Sequence, residues 1–288
     1  MTSRNFLDIP NVSFKEAQVI IVPFGLELST TYGKGTKNGP AALIDASSQV
    51  ELFDEELWQE TYKKIKIKTL SGLKSPKSFI AAEKKISPTI GEILKQKKIP
   101  IVLGGEHSIT SFIIKKFKNF FPSFSILQFD AHADLRDGYL NQKYSHAAAM
   151  RRCLDLKGVN LVQIGIRNIS NENNELIFWK ENQGRIKTFW AKDMANWKMK
   201  DIIDSLSKNV YLTFDLDAFD SSLMPSTGTP EPGGLQWHQA MEILKNISEK
   251  KKIVGADVVE LAPIKGFSAP DFLAAKLVYK IIGYIYQN

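Results

Sequence analysis

The run Ser125-Ile126-Leu127-Gln128-Phe129, followed at once by Asp130-Ala131-His132-Ala133-Asp134, decides the fold. A short apolar, β-branched stretch of strand character ends in a burst of metal-ligating side chains. The same construction recurs at residues 100–103, which run into Gly104-Gly105-Glu106-His107-Ser108, and at 210–214, which run into Asp215-Leu216-Asp217-Ala218-Phe219-Asp220. Working outward, residues 18–23, 64–70, 160–166, 185–190 and 252–259 read as five further strands, making eight. Between them, residues 76–98, 109–120, 145–156, 194–207, 236–250 and 270–286 carry the three-to-four-residue apolar spacing of amphipathic helices. Strand and helix alternate almost throughout, which predicts an α/β protein with a mainly parallel sheet covered by helices. No Pro/Gly/Ser-rich linker interrupts the pattern, so residues 1–288 are expected to form a single domain. Periodicity leaves both an open three-layer sandwich and a barrel standing; in either, chemistry gathers at the carboxyl ends of the strands.

Composition narrows the function classes. With 43% hydrophobic and 24% charged residues, the chain has globular rather than disordered character. The first residues lack the apolar run of a secretory signal, and no uncharged apolar stretch is long enough to span a bilayer, so a cytoplasmic protein without a membrane partner is expected. Cys153 is the only cysteine; it excludes an internal disulfide and reads as a small buried hydrophobe. The net charge of +7 comes from 38 basic residues of which 32 are Lys, scattered rather than gathered with aromatics, and this pattern points to a solvated surface instead of nucleic acid.

The strand ends carry the chemistry. Alternate residues of an extended chain point the same way, so Asp130, His132 and Asp134 can converge, as can Asp215 and Asp217. Each fragment alone fits a turn or a helix cap. Together with His107 they place two imidazoles and four carboxylates at one edge, and carboxylates so crowded need cations to neutralise them. Nitrogen and oxygen donors without thiolate suit divalent ions such as Mn²⁺ better than a structural zinc.

These motifs resemble those of the ureohydrolase family, which includes the arginases and agmatinases. Gly104-Gly105-Glu106-His107-Ser108, Asp130-x-His132-x-Asp134, Ser145-His146, Asp215-x-Asp217-x-x-Asp220, the sequel Thr227-Gly228-Thr229-Pro230-Glu231-Pro232-Gly233-Gly234, and Asp257-Val258-Val259-Glu260 occur in the family's order across nearly the whole chain. Residues 35–42 resemble the family's Gly-Pro start of a first helix. The resemblance implies the three-layer α/β/α sandwich, with an eight-stranded sheet, rather than the barrel. It implies two Mn²⁺ per subunit, one held by His107, Asp130, Asp134 and Asp215, the other by Asp130, His132, Asp215 and Asp217. It further implies hydrolysis of a guanidino C–N bond to urea and an amine by a water that the metals activate. His146 would shuttle protons with Asp134, and Glu260 would grip the guanidinium; read from the residues alone, both fit helix or turn caps. A homo-oligomer, trimer or hexamer, is implied as well.

Two departures stand out. Glu106 replaces the family's frequent Asp, and Ala147 follows His146 where Gly is common. Arginases resemble one another in an Asn at the place of Arg136; together with Tyr144-Ser145-His146 and Met150-Arg151-Arg152, Arg136 is closer to agmatinases. Agmatine, cleaved to putrescine and urea, is therefore the expected substrate, with arginine or guanidinobutyrate as alternatives. Arg136 is also readable as a surface residue paired with Asp137, and His238 as a structural residue of a first helical turn. A single-metal deacetylase lacks support, since its His-His pair is absent. A non-enzymatic homologue acting as a binding partner is the remaining alternative.

Overall fold

In the computed structural model, which describes residues 4–287, eight strands form one sheet and every pairing in it is parallel. They are β1 (Val19–Phe24), β4 (Ile67–Thr69), β5 (Ile99–Gly104), β6 (Phe124–Phe129), β7 (Val159–Ile166), β8 (Ile186–Trp190), β9 (Asn209–Asp215) and β10 (Lys252–Val259), in the order β4-β1-β5-β10-β9-β6-β7-β8. All eight expected strands are present. β4 and β8 are free edges, so the sheet is an open sandwich and not a barrel. A two-stranded hairpin, β2 (Phe53–Asp54) and β3 (Gln59–Glu60), stands apart.

Two hydrophobic layers flank the sheet. One holds α1 (Gly39–Ser47), α7 (Met199–Asp204), α8 (Trp237–Lys250) and α9 (Ala269–Ile285); the other holds α3 (Phe79–Lys95), α4 (Ile109–Phe117) and α5 (Ala149–Leu154), with α6 (Glu175–Glu181) packed at its rim. A single turn, α2 (Thr61–Lys64), follows the hairpin. α1 starts with Pro40 in its first turn, and α8 opens on a reciprocal Gln236–Gln239 capping box. The segment expected as one helix over 194–207 is instead a 3₁₀ stretch, Ala191–Asn196, followed by α7. Among the described residues no helix is long and apolar enough to cross a membrane.

This topology places the site. The helices after β5 and β6 cover one face of the sheet, whereas those after β9 and β10 cover the other. The four strands are neighbours at the centre, so a crevice opens at their carboxyl ends where the connections part. Gly105 sits at that point because nothing larger fits: a Cβ there would lie 2.0 Å from the Leu26 carbonyl oxygen. The bare backbone passes instead, and its carbonyl accepts the Glu260 N–H at 2.8 Å, locking the end of β5 to the end of β10.

Candidate active site

His107, beyond β5, points its Nδ1 into a ring of carboxylates. Asp134 Oδ2 lies at 3.0 Å, Asp130 Oδ2 at 3.1 Å and Asp215 Oδ2 at 3.4 Å. His107 is 1% exposed, and among the described residues this Nδ1 has no hydrogen-bond partner. Its other nitrogen explains why. Nε2 lies 2.9 Å from Thr213 Oγ1, and that hydroxyl donates to Asp257 Oδ1 at 2.6 Å. A hydroxyl whose single proton goes to a carboxylate can only accept from the ring, so Nε2 carries a hydrogen and Nδ1 is the nitrogen left to face the carboxylates, where it can serve a cation held among them. Asp257 is held in turn by Tyr211 Oη at 2.7 Å and Thr110 Oγ1 at 3.0 Å.

His132, beyond β6, faces Asp217 Oδ2 at 3.0 Å and Asp130 Oδ1 at 3.7 Å. Asp130 thus looks toward both imidazoles. Its orientation is set by Gln128 Nε2, donating to Oδ2 at 2.7 Å, and by the His132 N–H, donating to Oδ1 at 2.6 Å. Asp217 Oδ1 accepts the Ala131 amide at 3.0 Å, and Asp215 Oδ1 accepts the Asp217 amide at 3.0 Å. Two groups of donors result, His107 with Asp130 and Asp215, and His132 with Asp130 and Asp217; each is compact enough to hold one cation. Asp134 joins the first through its contact with His107. Asp220, which shares the motif, turns away: it accepts the amides of Gly233 and Gly234 and the Ser222 hydroxyl, which push its carboxyl down to about 2.

The electrostatics ask for cations. Burial opposes charge on His107 and His132, yet the surrounding aspartates outweigh it and hold both imidazoles well above their ordinary value. Despite its own burial, Asp130 is pulled below its ordinary value by the two rings. Burial and the neighbouring aspartates push Asp134 up to about 7 and hold Asp215 well above its ordinary value. Acids this crowded and dry cannot all ionise unless positive charge is supplied among them. Imidazole nitrogens set among carboxylate oxygens, with no thiolate in either donor group, fit a borderline or hard divalent ion.

Glu260 ends β10 in the left-handed region at φ 67°, and Asp134 has φ 54°. Non-glycine residues rarely adopt this backbone, and Glu260, so placed, lines the crevice. Its Oε1 accepts the His107 N–H at 2.6 Å, and burial together with nearby Glu106 raises its carboxyl well above the ordinary range. Above the cluster a cavity of about 430 Å³ is lined by His107, His132, Asp134, His146 and Glu260 among others. His146 starts a 3₁₀ turn, His146–Ala148, ahead of α5; burial and the charge on His132 push its imidazole down to about 4. All eight expected site residues therefore meet at one crevice. His238, in the first turn of α8, is exposed and lies away from it.

Arg136 does not pair with Asp137. It lies over the Tyr139 ring, 4.6 Å from its centroid, with Nε 3.7 Å from Glu175 Oε2, while Asp137 is taken by Arg152 at 2.7 Å. The residues that brace the cluster carry no motif in the sequence. Gln128, Gln163 and Thr188 lie side by side across β6, β7 and β8, and Gln128 is level with Thr213 on β9 and thence Asp257 on β10. Polar side chains at one level in otherwise apolar strands were the available signal, because a buried polar group must have a partner. Arg167, after β7, donates to the carbonyls of Asp217 at 2.7 Å and Glu231 at 2.8 Å, tying the ligand loop to the Gly/Pro-rich segment.

A parallel α/β sandwich whose central strands end in such a cluster defines a hydrolase of the arginase-like class. The Arginase family profile matches residues 17–283, and the chain belongs to that family. It is 35% identical to the N(1)-aminopropylagmatine ureohydrolase of Synechocystis sp., over 98% of this chain and 94% of that one. The agmatinase of Pyrococcus horikoshii is 33% identical, over 98% and 97%. Among solved structures, the agmatine ureohydrolase of Thermoplasma volcanium superposes with a TM-score of 0.88 at 26% identity, covering 100% of this chain and 96% of that one. An arginase-family hydrolase replaces the non-catalytic homologue among the readings left open by the sequence.

Proposed function

We propose that the chain is a binuclear Mn²⁺ ureohydrolase that cleaves the guanidino C–N bond of agmatine. The carrying observation is the free Nδ1 of His107 among three carboxylates, with Glu260 beside it and outside both donor groups. His107, Asp130, Asp134 and Asp215 would hold one ion, and Asp130, His132, Asp215 and Asp217 the other. Bound there, the ions would supply the activation of water that attack on a resonance-stabilised guanidinium requires.

The chain's own residues do the rest. Glu260, fixed through one oxygen by the His107 amide, keeps its other oxygen for the planar cation, whose charge removes the cost of burying the carboxylate. Near neutral pH Asp134, which lies 3.0 Å from His107 Nδ1 and lines the cavity, helps move protons to the leaving amine. His146 is uncharged at that pH and accepts or relays protons for the leaving amine.

The cavity lining favours an amine tail over a carboxylate. Arg136, the one Lys or Arg lining the cavity among the described residues, is engaged with Glu175 and stacked on Tyr139. Glu231 lines the same cavity with no hydrogen bond or ion pair to its carboxylate among the described residues. N(1)-aminopropylagmatine is the second reading, supported by the names of relatives and by a cavity in the range that encloses ligands larger than agmatine, roughly 300–1,000 Å³. Urea release from agmatine, N(1)-aminopropylagmatine, arginine and guanidinobutyrate with added Mn²⁺ tests the choice. Preference for arginine or guanidinobutyrate would overturn the amine-tail reading, and no urea from any of them would overturn the function.

A further inference from the structure

The ring of His146 is held through a hydroxyl, and that hydroxyl through a carboxylate. Ser29 Oγ, in the loop after β1, lies 3.0 Å from His146 Nδ1, accepts the His146 backbone N–H at 3.0 Å and lies 3.1 Å from Glu106 Oε1. Glu106 is itself immobilised. Its Oε2 accepts the amides of Leu28 and Ser29, each at 2.7 Å, and its Oε1 accepts the Ser108 hydroxyl at 2.6 Å. Glu106 is fully buried and Ser29 is 9% exposed, so water does not compete for these bonds. The other side of the ring rests edge-on against Tyr139, with centroids 5.9 Å apart.

Counting hydrogens fixes the arrangement. A serine hydroxyl has one proton to give and two acceptor sites. The buried carboxylate is the stronger acceptor in reach, so Ser29 donates to Glu106 Oε1. One acceptor site of Ser29 is filled by the backbone N–H of His146. The other faces Nδ1, and an oxygen lone pair can meet that nitrogen favourably only if it bears a hydrogen. We propose that Glu106 and Ser29 are positioning residues that hold His146 in the tautomer with the proton on Nδ1, leaving Nε2 as the unprotonated nitrogen. The effect on turnover rests on the reading of His146 as a proton carrier; the tautomer itself does not. Glu106, the departure from the family's frequent Asp, thus acts on a histidine forty residues further along the chain through a serine far upstream.

The test uses the full chain labelled with ¹⁵N-histidine, the His146 signals being assigned with a His146→Asn variant. At neutral pH the wild type is expected to carry its His146 proton on Nδ1. Ser29→Ala should convert that signal to a mixture of tautomers, and Ser29→Thr, which keeps the hydroxyl, should restore it. A proton on Nε2 in the wild type, or an unchanged tautomer in Ser29→Ala, would overturn the proposal. In Mn²⁺-loaded enzyme, Ser29→Ala should lower kcat by about ten- to a hundred-fold with little change in KM or bound metal, the scale of losing a group that orients a functional histidine. If the tautomer scrambles while kcat holds, the proton-carrying role of His146 fails and the relay stands. If the wild type releases no urea, the proposed function fails and the tautomer result is untouched.

Discussion

Thr213 Oγ1 stands 2.9 Å from Nε2 of His107, on the side of the ring opposite the carboxylates. The hydroxyl therefore decides which nitrogen faces the cluster. Thr213→Val keeps the β-branched shape of the strand and removes the acceptor, leaving the Nε2 hydrogen unpaired at a cost of about 1–3 kcal/mol. Divalent metal affinity, measured by competition titration, is expected to fall by about ten- to a hundred-fold. Unchanged affinity would mean that Thr213 does not control the ring.

Asp130 belongs to both donor groups, whereas His132 belongs to one. Asp130→Asn is expected to abolish binding of both ions and His132→Asn to leave one per chain. Metal analysis after dialysis distinguishes the outcomes, and equal stoichiometry in the two variants would refute the shared role. Chelation of the wild type should abolish urea release and Mn²⁺ should restore it.

Glu260→Gln preserves the acceptor for the His107 amide and removes the charge. Metal content should stay near wild type while kcat/KM falls by ~10² or more, the scale of losing a buried charged hydrogen bond. Were Glu260 only a cap on the end of β10, turnover would persist.

His146 has its imidazole pushed down to about 4 from 6.5 by burial and by the charge of His132. The unfolded chain then takes up a proton below pH 6.5 that the native state refuses until about pH 4, so stability present above 6.5 is lost as pH falls through that window. His146→Asn lacks this loss. The stability difference between wild type and variant should shift against the wild type from pH 7 to pH 4, as followed by chemical denaturation; a constant difference would contradict it.

Lys280 on α9 is 2% exposed and pairs with Asp54, 1% exposed, at 2.8 Å, with Glu55 and Glu56 close by. Lys280→Ala leaves the buried Asp54 carboxylate with the Glu56 and Leu57 amides but no cation, and a loss of about 3–5 kcal/mol is expected. Thermal unfolding measures it, and activity per folded molecule should not change.

What the sequence disclosed and what it withheld divide along a physical line. The eight strands were legible because their apolar runs are bounded by turns and helical spacing, and the ligands because His and Asp stand where those runs stop. The hairpin of Phe53–Asp54 and Gln59–Glu60 carries no period in strands of two residues, and it is held by Lys280 more than two hundred positions away. α6 begins at Glu175, whose carboxylate accepts the amides of Leu135 and Ser170, contacts that only folding creates. Gln128, Gln163 and Thr213 look like ordinary strand residues until the register across the sheet is known. The sandwich was distinguished from the barrel by family resemblance, since β4 and β8 have no sequence mark that says they will not meet.

Strand β10 lies between β5 and β9 at the middle of the sheet, yet it is the last strand to be made. During vectorial synthesis, the halves built on β1 and β5 and on β6 to β9 therefore each present an unpaired inner edge until residue 259 has left the ribosome. A chain that stops short of β10 lacks the strand that seats β5, and with it His107, against β9 and Asp215. The contact between His107 and Asp215 in the candidate metal cluster therefore waits for residues 252–259. The same delay leaves the two inner edges open to pairing with other chains, and expression at high rates should drive aggregation through them rather than through the outer strands.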